Sequence, residues 1–98
     1  MAQFDVHRLG DGRYAIDCQS PLLSHLTSRF TVPLEPIEAA GRNADRLHPE
    51  FEVEGRRVVM ATHLAGAIPT RALGKTVTSL AAHEFEIKAA LDMLISGL

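Results

Sequence analysis

"FDVHRLGDGRYAIDC", residues 4–18, decides how the chain is read. Phe4 and Val6 alternate with Asp5 and His7, and Tyr14, Ile16 and Cys18 alternate again beyond Gly10-Asp11-Gly12. A period of two is the period of a strand, and the glycines supply the positive-φ positions that a tight turn needs. The stretch therefore predicts a β-hairpin that presents Phe4, Val6, Tyr14 and Ile16 to one core face. "FEVEGRRVVMAT" (51–62) predicts a second hairpin: Phe51 and Val53 alternate, Glu54-Gly55 turns, and Val58, Val59 and Met60 return.

Working outward, "RFTVPL" (29–34) is strand-like, and Pro33, which has no N–H to give, assigns it to a sheet edge or a strand end. "QSPLLSHLTS" (19–28) reads as a loop with two oddly apolar residues, Leu22 and Leu23. "EPIEAAGRNADRL" (35–47) suits a connection holding a short helical turn that Gly41 stops. "LAGAIP" (64–69) is a short apolar segment closed by Pro69, and "TRALGKTV" (70–77) is extended. From Leu80 to Ile95 there is neither Gly nor Pro. Leu80, Ile87, Leu91 and Leu94 recur at helical spacing, with Ala90 and Ile95 widening the stripe, so a C-terminal helix is expected at about 79–96. Thr78 or Ser79 is its expected cap, Glu84 and Lys88 an i,i+4 pair, and Gly97 its left-handed stop. By Ile95, Ser96 and Leu98 the stripe has run past any core, leaving an apolar tip that core packing does not explain.

The totals narrow the function classes. Ninety-eight residues predict one domain, 1–98, with a modest core. No run approaches the ~18 apolar residues of a membrane span, and the first residues carry no secretory signal pattern. Cys18 is the only cysteine, which excludes an intrachain disulfide and suits a reducing cytoplasm. Net charge is −2, and the ten Lys and Arg are spread along the chain, so direct nucleic-acid binding lacks its basic surface.

Catalytic signatures are absent. His7, His25, His48, His63 and His83 include no pair three or four apart, and "HEFEI" (83–87) has Ile87 where a zinc-protease motif has its second His. No metal site or cofactor is expected. There is no phosphate-cradling loop and no nucleophile elbow, and "GDGR" (10–13) is the hairpin turn. The carboxylates Glu35, Glu38, Glu50, Glu52, Glu54, Glu84, Glu86 and Asp92 sit at surface-patterned positions.

Taken in order, the chain resembles the CcdB family, the gyrase-poisoning toxins of toxin–antitoxin modules. The likeness runs over essentially the whole chain. It is carried by Gln3-Phe4, Arg13-Tyr14, "DCQS" (17–20) followed by Leu22-Leu23, "VPL" (32–34), "EIKAALDML" (86–94) and Gly97-Leu98. The resemblance implies a mainly β, SH3-like barrel, with a large antiparallel sheet, a small second sheet and one C-terminal helix. It implies a cytoplasmic homodimer that is not an enzyme. Such a toxin binds the A subunit of DNA gyrase and traps the cut-DNA complex, and a small antitoxin with a disordered tail neutralises it. Such modules sit on plasmids, where they serve plasmid maintenance, and on chromosomes.

Carried over position by position, the gyrase-facing residues fall on Leu22, Leu23, Asp92, Ile95, Ser96, Gly97 and Leu98, with Gln3 and Phe4 as lesser candidates. The antitoxin surface falls on the first hairpin loop and the 40–47 connection, where Arg8, Arg13, Arg42 and Arg46 offer charge to an acidic tail. Two positions depart from the family pattern: Ser96 stands where it has Trp, and Asp92 where it has Asn. Loss of a buried aromatic anchor costs about 2 kcal/mol at an interface, roughly 30-fold in affinity. Two rivals follow: an endoribonuclease toxin on the same barrel, and a family member that has lost poisoning.

Overall fold

The computed structural model describes residues 2–40 and 45–97. Among the described residues seven strands run in the order β1 (Asp5–Leu9), β2 (Tyr14–Asp17), β3 (Ser28–Pro36), β4 (Glu50–Val53), β5 (Arg56–Met60), β6 (Gly66–Pro69) and β7 (Leu73–Ser79). A one-turn helix α1 (Ile37–Ala40) follows β3, and the long helix α2 (Glu84–Ser96) closes the described chain. The fold is mainly β with one C-terminal helix, as expected. All strand pairs are antiparallel and belong to one sheet, β4-β5-β3-β2-β1-β7, with β6 joined to β3 beside that path. What the resemblance implied as a smaller second sheet is thus fused to the larger one through β3.

Both predicted hairpins form. Val6 lies opposite Ile16, and Phe51 opposite Val58. Gly12 (φ 87°) sits in the first turn, while Glu54 (φ 52°) and Gly55 (φ 78°) form the second. Positive φ at both central residues matches the strands' right-handed twist. The β1–β7 register shifts twice, on either side of His7, and such bulges increase twist and curl the sheet into a half-barrel. At the second shift Gly74 is required, because a Cβ there would run into the carbonyl of Arg8.

β3 corrects the reading of Pro33. It is a central strand, paired with β2 on one side and with β6 then β5 on the other. The β6 pairing ends at Thr31↔Gly66 and the β5 pairing begins at Leu34↔Met60. The Pro33 carbonyl accepts from Ala61 N–H on that second side. N and O of one residue point the same way in a strand, so the missing N–H faces the gap between partners. A central proline costs no ladder bond there.

The core lies under one face of the sheet. Val6, Tyr14, Ile16, Cys18, Val32, Leu34, Phe51, Val53, Val58 and Met60 alternate inward and meet Leu80, Ile87 and Ala90. Ile87 is completely buried, a burial that contributes about 1.5–3 kcal/mol. The helix begins later than 79: Ser79 Oγ accepts from Ala81 N–H at the entry to a 3-10 turn, Ala81–His83, before α2 starts at Glu84. The Glu84–Lys88 pair forms at 3.6 Å, exposed on both sides and of small energetic weight. Among the described residues no helix is long and apolar enough to cross a membrane.

Candidate functional site

The sheet's second face carries polar residues as deeply buried as the core. Asp17 and Arg29 are both sealed from solvent. The Arg29 guanidinium donates twice to Asp17 Oδ2, from Nε at 3.0 Å and from Nη2 at 2.6 Å. Asp17 Oδ1 takes the Gln19 N–H at 3.0 Å. Gln19 continues the network: its Oε1 accepts from Phe30 N–H at 2.8 Å, and its Nε2 donates to the Leu23 carbonyl at 3.0 Å. Ser20 Oγ accepts from Leu22 N–H at 3.2 Å, which caps the 3-10 turn Pro21–Leu23. "DCQS" is therefore a clamp. Its polar side chains use their hydrogen bonds to hold a short turn out from the sheet end, and the bonds among Asp17, Gln19 and Arg29 satisfy groups that are costly to bury unpaired.

That turn exposes apolar surface. Leu22 is 86% exposed, and Leu23 and Leu26 are more than two-fifths exposed. Cys18 points the other way, into the core, where burial first and the neighbouring Asp17 charge second push its thiol up to about 12. It is a packing residue and not a nucleophile.

The tip of α2 is the second apolar projection. Ile87 and Ala90 are buried, Leu91 is at the core margin, and Ile95 is 79% exposed. Gly97 takes φ 76° and its N–H closes on the Met93 carbonyl at 2.9 Å. Ser96 Oγ donates back to the Asp92 carbonyl at 2.7 Å. The helix is thus terminated by glycine as expected, with Asp92, Ile95, Ser96 and Gly97 all exposed. Leu98 lies outside the described residues. α2 packs on the 3-10 turn Thr62–Leu64, and the Pro21–Leu23 turn shares no comparable packing with it.

Gln3 and Phe4 divide. Gln3 is half-buried, and its Nε2 donates to the Cys18 carbonyl at 3.1 Å, beside the clamp. Phe4 is 2% exposed and belongs to the core, so it offers no surface to a partner. Its φ of 71° is unusual for a bulky residue, and two backbone bonds hold it, to Asp17 and to Leu80.

The arginines differ in how free they are. Arg8 pairs with Glu54, which also accepts the Tyr14 hydroxyl, and its guanidinium lies 5.0 Å from the centre of the Tyr14 ring. Arg13 pairs with Asp11 in the turn at 2.7 Å, and the Arg13 N–H and guanidinium hold the Asp11 carboxyl below its ordinary value. Arg46 is exposed and, among the described residues, its side chain makes no hydrogen bond or ion pair. Arg42 lies outside the described residues. A groove of about 900 Å³, which sequence reading missed, runs from Arg13 over Pro33, Ile37 and Ile68 to the unpaired Arg56. Its residues come from four separate segments, so no local pattern announces it.

The CcdB protein family matches residues 3–97. The chain belongs to the CcdB family. No curated protein matches it in sequence. Solved structures share its fold at low identity. An endoribonuclease from Mycobacterial species superposes with a TM-score of 0.81 at 14% identity, covering 100% of this chain and 92% of that one. An endoribonuclease in complex with its cognate antitoxin, also from Mycobacterial species, gives 0.80 at 14% identity, with 100% and 96% covered. The Mycobacterium tuberculosis toxin MazF-mt6 gives 0.77 at 16% identity, with 93% and 95% covered. At these identities the likeness is one of fold alone.

Proposed function

We propose that this CcdB-family chain is a cytoplasmic toxin of a toxin–antitoxin module, and that it poisons DNA gyrase through two apolar projections, the Pro21–Leu23 turn and the tip of α2. Family membership supports the toxin role and an antitoxin partner. The observation that carries the gyrase reading is the exposure of Leu22 and Ile95 at the positions where the family resemblance puts the contact surface. Exposed aliphatic groups held on a braced turn and on a capped helix end are suited to fill a partner's pockets. The protein acts here by binding and not by catalysis. A symmetric homodimer would present two copies of each projection to the gyrase A dimer. Leu23, Asp92, Ser96, Gly97 and Leu98 complete the proposed gyrase surface, with Gln3 at its margin. Arg46 and Arg42, with Arg13 and Arg8, are the proposed seats for acidic antitoxin residues.

The test is direct. Purified protein added to gyrase and supercoiled plasmid should yield trapped linear DNA, and removal of residues 96–98 should abolish it. Cleaved DNA persisting after that truncation would overturn the site. A second reading, an RNA-cleaving toxin, draws on the fold shared with the two mycobacterial endoribonucleases. Fragmented RNA with intact supercoiled plasmid would favour it instead.

A further inference from the structure

Away from both apolar projections, three titratable side chains stand in line. Asp45 Oδ1 lies 3.1 Å from His48 Nδ1, and His48 Nε2 lies 3.1 Å from His63 Nδ1. His48 is buried, while His63, at the far end, is open to solvent. The Asp45 carboxylate also accepts the His48 backbone N–H at 2.7 Å, which fixes it beside the ring. With His48 Nδ1 donating to a carboxylate, Nε2 is left with a lone pair, aimed at His63. The two rings have centroids 5.1 Å apart and planes crossing at 81°.

The hydrogen-bonded spacing is close to that of two ligands on one ion. Two metal–nitrogen bonds of about 2.1 Å that meet at the tetrahedral angle span roughly 3.4 Å, so the rings need to part and turn by only about 0.3 Å to share a metal. A carboxylate behind the ligating imidazole is the support that fixes its tautomer and ring orientation. Imidazole pairs suit zinc, nickel and copper. We infer that His48 Nε2 and His63 Nδ1 form a two-imidazole site for a divalent transition-metal ion of this class, with Asp45 as the positioning residue.

In the metal-free pair the proton on His63 Nδ1 is donated to His48 Nε2. Binding moves that proton to the other nitrogen of His63 and gives the Nδ1 lone pair to the metal, so the neutral pair loses no proton. No group of three or more His, Cys, Asp or Glu converges on an ion among the described residues. Water therefore fills the remaining positions. A bound ion would bridge the segment Asp45–Glu50 to the turn Thr62–Leu64, on which α2 packs.

Untagged full-length protein titrated with zinc chloride or nickel chloride should take up one ion per chain, and its Tm should rise with metal concentration. His63→Ala also removes the hydrogen-bond partner of buried His48, so its own metal-free Tm serves as its baseline, and it should weaken binding at least about tenfold. Asp45→Asn should weaken it by a similar factor, and His25→Ala should not change it. Under nickel the ring NMR signals of His48 and His63 should broaden before that of His7. Absence of saturable binding below about 1 mM, in the weak regime where any surface histidine competes, overturns the site. So does binding that His63→Ala leaves intact.

Discussion

The two apolar projections of this protein are built by opposite means. The Pro21–Leu23 turn is braced from beneath by a buried polar network: Arg29 on Asp17, and Gln19 on Phe30 and Leu23. The tip of α2 is braced by its own backbone, through the Gly97 closure and the Ser96 back-bond, with nothing tertiary beneath Ile95. A turn of three residues cannot hold its own shape, because it has too few internal hydrogen bonds to offset ordering. A thirteen-residue helix can, once its first two turns are packed. One projection is therefore costly to the fold when its supports are altered, and the other is nearly free of the fold.

The largest test of that contrast is the buried ion pair. Arg29→Met leaves the Asp17 charge buried without its partner and should cost about 3–5 kcal/mol in urea unfolding. A loss under about 1 kcal/mol would mean that the pair does not brace the turn. Ile95→Ala should show the opposite profile. Its stability change should stay within about 0.5 kcal/mol, while gyrase trapping weakens about 30-fold. Equal loss of both would place Ile95 in a packed contact and remove the contrast. Gln19→Ala should fall between, costing about 1–3 kcal/mol because Phe30 N–H and the Leu23 carbonyl lose their partner, and it should weaken trapping through Leu22 without touching the helix tip.

Cys18 supplies the smallest and the most selective test. Its folded pKa is raised, from 9.0 to about 12, so the neutral thiol's contribution to stability is complete below pH 9. It is lost as pH rises toward 12, at a limiting slope on the order of 1 kcal/mol per pH unit. Comparison of the wild type with Cys18→Ala across pH 8–10.5 isolates the effect, since lysine and tyrosine titration is common to both. Parallel curves would show a thiol in contact with water. Native protein should also resist iodoacetamide until it unfolds.

Much of the fold was legible because its signals are local. The alternation through Val6 and Ile16, the turn residues Gly12 and Glu54-Gly55, and the stripe at Ile87 and Ala90 each depend on neighbours within a few positions. Pro33 was misplaced because a proline's cost depends on which partner strand lies beside it, and here the partner changes at that residue. The start of α2 was read too early because a serine hydroxyl can take a backbone N–H wherever a chain turns, and Ser79 takes that of Ala81 at the entry to a 3-10 turn instead. Phe4 reads as a core-facing residue and, by resemblance, as a lesser contact candidate; its ring fills the core, as the alternation required.

Periodicity and turn chemistry act over a handful of bonds, and they are enough to set the strand and helix content, the two hairpins, the family likeness, and the apolar residues that have no place in a core. Three contacts lie beyond their reach: Asp17 and Arg29 meeting as a sealed pair, Gln19 clamping the Leu22 turn, and His48 and His63 facing each other across fifteen positions. Such contacts join residues on different strands and turns, and their energies depend on burial and distance, neither of which one position of a sequence records.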